Sequence, residues 1–349
     1  MRLRSSPKGL WRCAAALCYN VCTMSNTFKK IVALVILSAG VLVGSAADGD
    51  AYLFAYFSNN GYGGRRGEAA GLHLAYSRDG LSWTALNGDK PFLVPEIGND
   101  KLMRDPSICQ GPDGTFHMVW TSSWHDKIIG YASSKDLVHW SEQRALPVMA
   151  HEPTARNTWA PEVTYNPDDG LFYIYWATTI PGRHSPIPGM EAKEDGLNHR
   201  IYLTTTRDWK EFTPTRLWFN PKFSAIDAAL LRVPGGERKW LMVVKNENHT
   251  PVEKNIRPVW IDDLSVEIPG DAARAPITGS WVEGPSALLV GGSIFVYFDC
   301  YRKGRYGAVR SDDLGKTWRD VSRDVSFPAG IRHGTAFPVS ATVLDALPR

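Results

Sequence analysis

Apolar and polar positions follow a repeating order along most of the chain. Five short segments read as the starts of inner β-strands and recur roughly fifty to seventy residues apart: Asp105-Pro-Ser-Ile, Trp159-Ala-Pro-Glu-Val, Ile226-Asp-Ala-Ala-Leu, Glu283-Gly-Pro-Ser-Ala-Leu and His333-Gly-Thr-Ala-Phe. An acidic residue or a histidine sits at the head of each. Four of the five are followed by an aromatic-rich run (Phe116 to Trp120, Phe172 to Trp176, Trp240 to Val244, Ile294 to Phe298) and then by a third strand ending in a polar turn. This order predicts an all-β fold made of propeller blades.

The two ends of the pattern complement each other. After His333 the chain offers one inner strand without partners, whereas Tyr52 to Phe57, Leu72 to Ser77 and Trp83 to Leu86 supply second, third and fourth strands without an inner one. The C-terminal strand, residues 333–345, is therefore expected to join the N-terminal blade. That closes a five-bladed β-propeller and removes the exposed edges of an open array. In such a ring all inner strands start at one mouth of the central channel, so Asp105, Glu162, Asp227, Glu283 and His333 should converge there.

Ahead of the repeats, Lys29 and Lys30 precede the apolar stretch Ile31 to Val43 and the small-residue run Gly44-Ser-Ala-Ala47. These are the three parts of a secretory signal peptide. Residues 1–47 are assigned to it, with Met24 as the true start, and residues 48–349 to the propeller domain. The expected location is secreted or periplasmic, with no membrane attachment after cleavage. Beyond residue 47 only Cys109 and Cys300 remain, on strands assigned to non-adjacent blades, so free thiols are expected rather than a disulfide.

Charge narrows the partners. The 349 residues carry a net charge of only +3, and no basic run stands out past residue 47, which argues against nucleic acid and acidic membrane surfaces. A monomer is expected. Thirteen each of Trp, Tyr and Phe is a heavy aromatic load, most of it needed between blades. Trp124, Trp159 and Trp281, beside strand heads or loop starts, are placed to stack on a sugar face.

Ser311-Asp-Asp-Leu-Gly-Lys-Thr-Trp318 resembles the Asp-box of sialidases, and Ser77 to Trp83 and Ser134 to Trp140 are looser copies. They read as hairpin turns in which Ser and Asp oxygens accept from turn amides, Gly supplies positive φ and Trp packs between blades. Such turns report fold rather than chemistry. A sialidase also needs an arginine cluster, for which Arg104, Arg200, Arg257 and Arg302 are candidates, but five repeats rather than six weigh against it.

Three carboxylates around one mouth suit glycosidic hydrolysis. One acid protonates the leaving oxygen, a second carboxylate activates water or attacks the anomeric carbon, and a third tunes the acid by like-charge repulsion. Asp105, Asp227 and Glu283 offer that set from three blades. The ordered series Arg104-Asp-Pro-Ser-Ile, Trp159-Ala-Pro-Glu, Ile226-Asp-Ala-Ala-Leu, Glu283-Gly-Pro and His333-Gly resembles family 43 glycoside hydrolases over nearly the whole of residues 48–349. That family comprises five-bladed propellers and includes arabinofuranosidases, xylosidases and arabinanases. The resemblance implies that Asp105 is the general base, Asp227 the pKa-modulating carboxylate and Glu283 the general acid of an inverting enzyme. It also implies that His333 is the channel histidine near which some relatives bind calcium, with no cofactor required for chemistry.

Trp124, Trp159, Glu162, Lys245, Glu247 and His333 complete the candidate substrate-binding set. Glu162 is either a substrate-binding carboxylate or a hydrogen-bond anchor, the latter favoured because Trp-Ala-Pro reads as a rigid turn. Lys245 is a sugar-hydroxyl donor or a neutraliser of neighbouring carboxylates, and Glu247 is a reserve acid. The leading expectation is an exo-acting α-L-arabinofuranosidase, or a β-xylosidase or galactofuranosidase, trimming side chains of plant or microbial polysaccharides. The alternatives are a sialidase-like or invertase-clan hydrolase and a catalytically silent sugar-binding propeller.

Overall fold

The structure is a computed structural model that describes residues 51–58, 70–190 and 195–349. The targeting segment assigned to residues 1–47 lies outside these. Among the described residues nineteen strands form five antiparallel sheets. Blade I consists of β1 (Ala51–Phe57), β2 (His73–Ser77) and β3 (Thr84–Ala85), with β19 (Arg332–Val339) as its inner strand. Blade II runs β4 (Arg104–Gln110), β5 (Phe116–Thr121), β6 (Ile129–Ser134) and β7 (Arg144–Leu146). Blade III runs β8 (Trp159–Asn166), β9 (Leu171–Thr178), β10 (Arg200–Thr206) and β11 (Arg216–Phe219). Blade IV has three strands, β12 (Ala225–Arg232), β13 (Trp240–Asn246) and β14 (Asn255–Ile261). Blade V runs β15 (Glu283–Val290), β16 (Ser293–Cys300), β17 (Arg305–Ser311) and β18 (Arg319–Asp320).

The ring closes as the sequence predicts. β19 pairs antiparallel with β1 from Ala51 opposite Val339 to Phe57 opposite Arg332. The pairing stops short of residue 345, however. Ser340 accepts from Val343 N at 3.3 Å and starts a short helix, α1 (Ala341–Ala346), whose Leu344 packs under blades I and II. A side-chain oxygen that caps helical amides competes with strand extension at this point.

Closure is visible in the core as well. Five apolar clusters occupy the interfaces I/II, II/III, III/IV, IV/V and V/I. Strand alternation feeds two of them at once: Ala51, Leu53 and Ala55 of β1 face blade II, while Tyr52, Phe54 and Tyr56 face blade V. Hence the second strands are apolar on both faces and read as unbroken hydrophobic runs. Burial of each large ring stabilises by a few kcal/mol, roughly 25 cal/mol per Å². Cys109 and Cys300 are free thiols in blades II and V. No helix among the described residues is long and apolar enough to cross a membrane.

The polar turns behave as read, with one addition. Asp79 Oδ1 accepts from the amides of Leu81 and Ser82 at 2.8 Å, Asp136 Oδ1 from Val138 and His139, and Asp313 Oδ1 from Lys316 and Thr317. Blade III has a fourth copy that pattern reading missed, Thr206-Arg-Asp208-Trp209, in which Asp208 accepts from Lys210 and Glu211. Positive φ falls three residues after the Ser or Thr in every copy, on Gly80, Leu137, Trp209 and Leu314. Gly fills that position only in the first copy, the Ser311 turn adds a second positive φ on Gly315, and the Ser134 and Thr206 turns are held by the paired oxygens without glycine.

Candidate active site

Each of the five inner strands carries one residue too many for its neighbour, at its first turn into the channel. Arg104 and Ser107 oppose Thr121 and Val119; Trp159 and Glu162 oppose Ala177 and Tyr175; Glu283 and Ser286 oppose Asp299 and Tyr297. On β12 the extra residue is Asp227, and on β19 it is His333. These bulges put Asp105, Ala160, Asp227 and Gly284 at φ of 51°, 47°, 52° and 56°, a left-handed conformation that Asp and Gly tolerate best. A Cβ on Gly284 would approach His333 Cγ to 2.5 Å, so glycine there makes room for the imidazole.

The shared register sorts the residues into three levels. Arg104, Trp159, Ile226, Glu283 and Arg332 form an outer rim; Asp105, Ala160, Asp227, Gly284 and His333 sit at the bulge; Ser107, Glu162, Ala229, Ser286 and Thr335 line the channel below. The five residues expected to converge at the mouth are thus spread over three levels of it. Asp105, Asp227 and His333 share the middle level, Glu283 lies one step out and Glu162 one step in.

At the middle level, His333 Nδ1 lies 3.2 Å from Asp105 Oδ1 and 3.9 Å from Asp227 Oδ1. Burial opposes a charge on the ring, but the two carboxylates override it and lift His333 to about 9, so the ring is an imidazolium at neutral pH. Asp105 answers in the other sense. Burial would raise it, yet His333, Arg104 and the Thr121 hydroxyl, which donates to Oδ2 at 2.8 Å, bring it to about 2. Asp227 accepts only the Gly284 amide at 3.0 Å, and burial together with the charges of Glu283 and Asp105 raises it. A calcium near His333, which the family resemblance implies, would be faced at this level by the carboxylates of Asp105 and Asp227. Among the described residues no group of three or more His, Cys, Asp and Glu is arranged to hold a metal ion.

Glu283 at the rim is clamped. Arg332 Nη2 donates to Oε1 at 2.8 Å and Lys245 Nζ to Oε2 at 3.3 Å. Burial would raise its pKa, but Lys245, Arg332 and His333 hold it below the ordinary carboxylate value. Arg332 is itself fixed by an ion pair with Asp299, whose carboxyl burial lifts to about 6. Lys245, 3% exposed, lies between Glu283 and Glu247, 2.6 Å from the latter. It is thus placed as a neutraliser and not as an open donor to sugar. Glu247 is also paired with Lys254 at 2.6 Å, and these two cations hold it below the ordinary carboxylate value.

Glu162, 4% exposed, accepts from Ser107 at 2.6 Å and Thr335 at 3.1 Å, tying blade III to blades II and I. Burial raises it to about 7. It is placed as an anchor inside the channel, away from the rim. Trp159 donates through Nε1 to the Trp124 carbonyl at 2.9 Å, and the two rings meet edge to face with centroids 5.9 Å apart. Arg302 covers one face of Trp281 at 3.0 Å, so that ring is not an open platform. The four arginines considered for a sialidase do not gather: Arg200 bonds Asn220 and Asn198, Arg257 pairs with Glu253, and only Arg104 stands at the rim. Arg332, Asp299 and Thr121 were missed by pattern reading. Aligning the five strand heads would have shown Arg332 at the position of Arg104 and Glu283.

Residues 48–345 match the profile of a protein family described as "Probable glycosyl hydrolase domain", related to glycoside hydrolase family 43. The chain belongs to that family. It carries the propeller and the ordered carboxylates on one framework. Similar solved structures include an exo-β-1,3-galactanase from Phanerochaete chrysosporium (12% identity, 66% of this chain and 53% of that one, TM-score 0.48). An α-L-arabinofuranosidase from Lactobacillus brevis (18%, 62% and 72%, 0.47) and an arabinanase from Bacillus subtilis (15%, 67% and 80%, 0.45) are others. The chain spans about half the length of the galactanase chains. No curated protein sequence matches it.

Proposed function

We propose that the chain is an exo-acting, inverting glycoside hydrolase that removes furanosyl or pentosyl units from polysaccharide side chains, an α-L-arabinofuranosidase in the first instance. The observation that carries the reading is the Asp105–His333–Asp227 cluster one level below a doubly clamped Glu283. Asp105, held ionised, has the charge state of a base that takes a proton from water. Glu283, at the rim, stands where a leaving oxygen would pass. Burial and the charge of Glu283 raise the Asp227 pKa while Lys245 and Arg332 lower that of Glu283, so a proton on this pair favours Asp227 over Glu283. Hydrolysis then requires that proton on Glu283 when the leaving oxygen departs, while water activated by Asp105 adds to the anomeric carbon and leaves its proton on Asp105.

The lysine pair, apolar stretch and Gly44-Ser-Ala-Ala47 support export of the protein. The similarity to galactan- and arabinan-degrading enzymes keeps galactosides beside arabinofuranosides in the first panel. Nitrophenyl arabinofuranoside, xyloside, galactoside and sialoside should be assayed side by side with the parent and Asp105→Asn. Proton NMR of the first-formed anomer reads the stereochemistry. Turnover with inversion, abolished in Asp105→Asn, is expected. Retention of configuration would remove the single-displacement reading, and sugar binding without turnover would make the protein a silent lectin-like propeller.

A further inference from the structure

One residue of the rim has no task in the chemistry above. Arg104 lies on β4 at the register position that Glu283 takes on β15 and Arg332 on β19, so it borders the same mouth. Its guanidinium carbon sits 4.4 Å from the centre of the Phe57 ring and 4.7 Å from that of Trp124. Two aromatic faces therefore fix the guanidinium plane and leave its edge as the functional part. Arg332, also 5.9 Å from Phe57, spends its edge on Glu283 and Asp299. Arg104 has no such partner: among the described residues no oxygen accepts from its guanidinium, although the side chain is half-buried.

A guanidinium presents parallel N–H groups in a planar fork, and leaving them unmatched in a partly desolvated position is unfavourable unless a ligand completes them. We propose that Arg104 is a substrate-binding, specificity-determining residue whose fork takes two adjacent oxygen atoms on the glycone bound at the rim, as presented by a vicinal diol or by a sugar carboxylate. This rests on the glycoside hydrolase reading and extends it to what the site selects. Trp124 takes part by orienting the arginine, so one of its faces serves the guanidinium rather than a sugar ring. Asp105 does not need Arg104 as its main partner, since His333 and Thr121 both contact its carboxyl.

The test compares the parent with Arg104→Gln and Arg104→Lys on the best nitrophenyl glycoside of the panel and on its uronide counterpart. Thermal midpoints are recorded alongside. Arg104→Gln is expected to raise KM about tenfold or more, which is about 1.4 kcal/mol, with an unchanged midpoint. Lysine should not restore it, because one ammonium cannot replace a stacked fork. Added guanidinium ion should recover part of the loss in Arg104→Ala. A loss on the neutral glycoside assigns the diol, and a loss confined to the uronide assigns the carboxylate. KM within twofold of the parent on both substrates overturns the proposal. So does a variant in which only the acidic limb of the pH profile moves, because Arg104 would then act through Asp105. A parent that turns over no glycoside overturns the functional reading first, and this outcome is separate because it precedes any comparison of variants.

Discussion

The hairpin turns and the inner strand heads both recur around the ring, but they recur in opposite ways. In the turns the residues repeat: a Ser or Thr, an Asp two positions on, and a hydroxyl and carboxyl accepting turn amides at matching positions in blades I, II and III and one residue later in blade V. At the strand heads the backbone repeats, with one extra residue in each of five strands, while the side chains vary from blade to blade within every level. A turn has the same task in every blade, so the same short polar side chains solve it. The channel mouth is one site built by five blades, and unlike groups from different blades are needed to make it.

This contrast can be broken by substitution. The largest effect should come from the strand heads. Glu283→Gln should lower turnover by roughly 10² to 10⁴ on poor leaving groups and far less on dinitrophenyl glycosides, which need little protonation. Equal losses on both substrate types would take the acid role from Glu283. Its thermal midpoint should fall little, since Arg332 keeps Asp299 as a partner.

The next effect is on stability and lies just below the mouth. Glu162 has its pKa raised from 4.5 to about 7, so folding favours its protonated form. Its contribution is complete below about 4.5 and is lost as pH rises through about 7, a swing on the order of 3 kcal/mol. Glu162→Gln, which stays neutral, should flatten this part of the curve and be the more stable protein at pH 8. Urea midpoints at pH 5 and pH 8 for both proteins decide it. A parent no more pH-sensitive than the variant would show that Glu162 is hydrated and not a dry anchor.

His333 joins two strand heads electrostatically. His333→Gln removes the imidazolium that depresses Asp105, so the Asp105 pKa should rise from about 2 and the acidic limb of the pH-rate profile should move to higher pH. An unmoved limb would mean that Thr121 and Arg104 suffice. The smallest effect should come from the turns. Asp313→Ala loses the acceptor for Lys316 N and Thr317 N, costing about 1 kcal/mol or a few degrees of thermal midpoint, with kcat/KM unchanged. A turn substitution that altered catalysis would end the division between repeated residues and repeated backbone.

Much of this was legible in the chain. The apolar runs at 116–120, 172–176, 240–244 and 294–298 are strands with both faces buried, and that burial leaves a continuous hydrophobic signature. The unpaired inner strand after His333 and the incomplete set at Tyr52 made ring closure readable, because hydrogen-bonding groups at a sheet edge need partners. The order of Asp105, Asp227 and Glu283 was equally a matter of sequence. What the sequence did not contain was level and partner. One inserted residue per strand turns Asp105, Asp227 and His333 to one height and moves Glu162 inward. Cations from other blades then bear on the carboxyls of blade V: Lys245 of β13 closes on Glu283, and Arg332 of β19 closes on Glu283 and Asp299. Composition and periodicity act through local backbone preference and burial, which a sequence carries. Charge state depends on distances of a few ångströms between blades far apart in the chain, which only the closed ring sets.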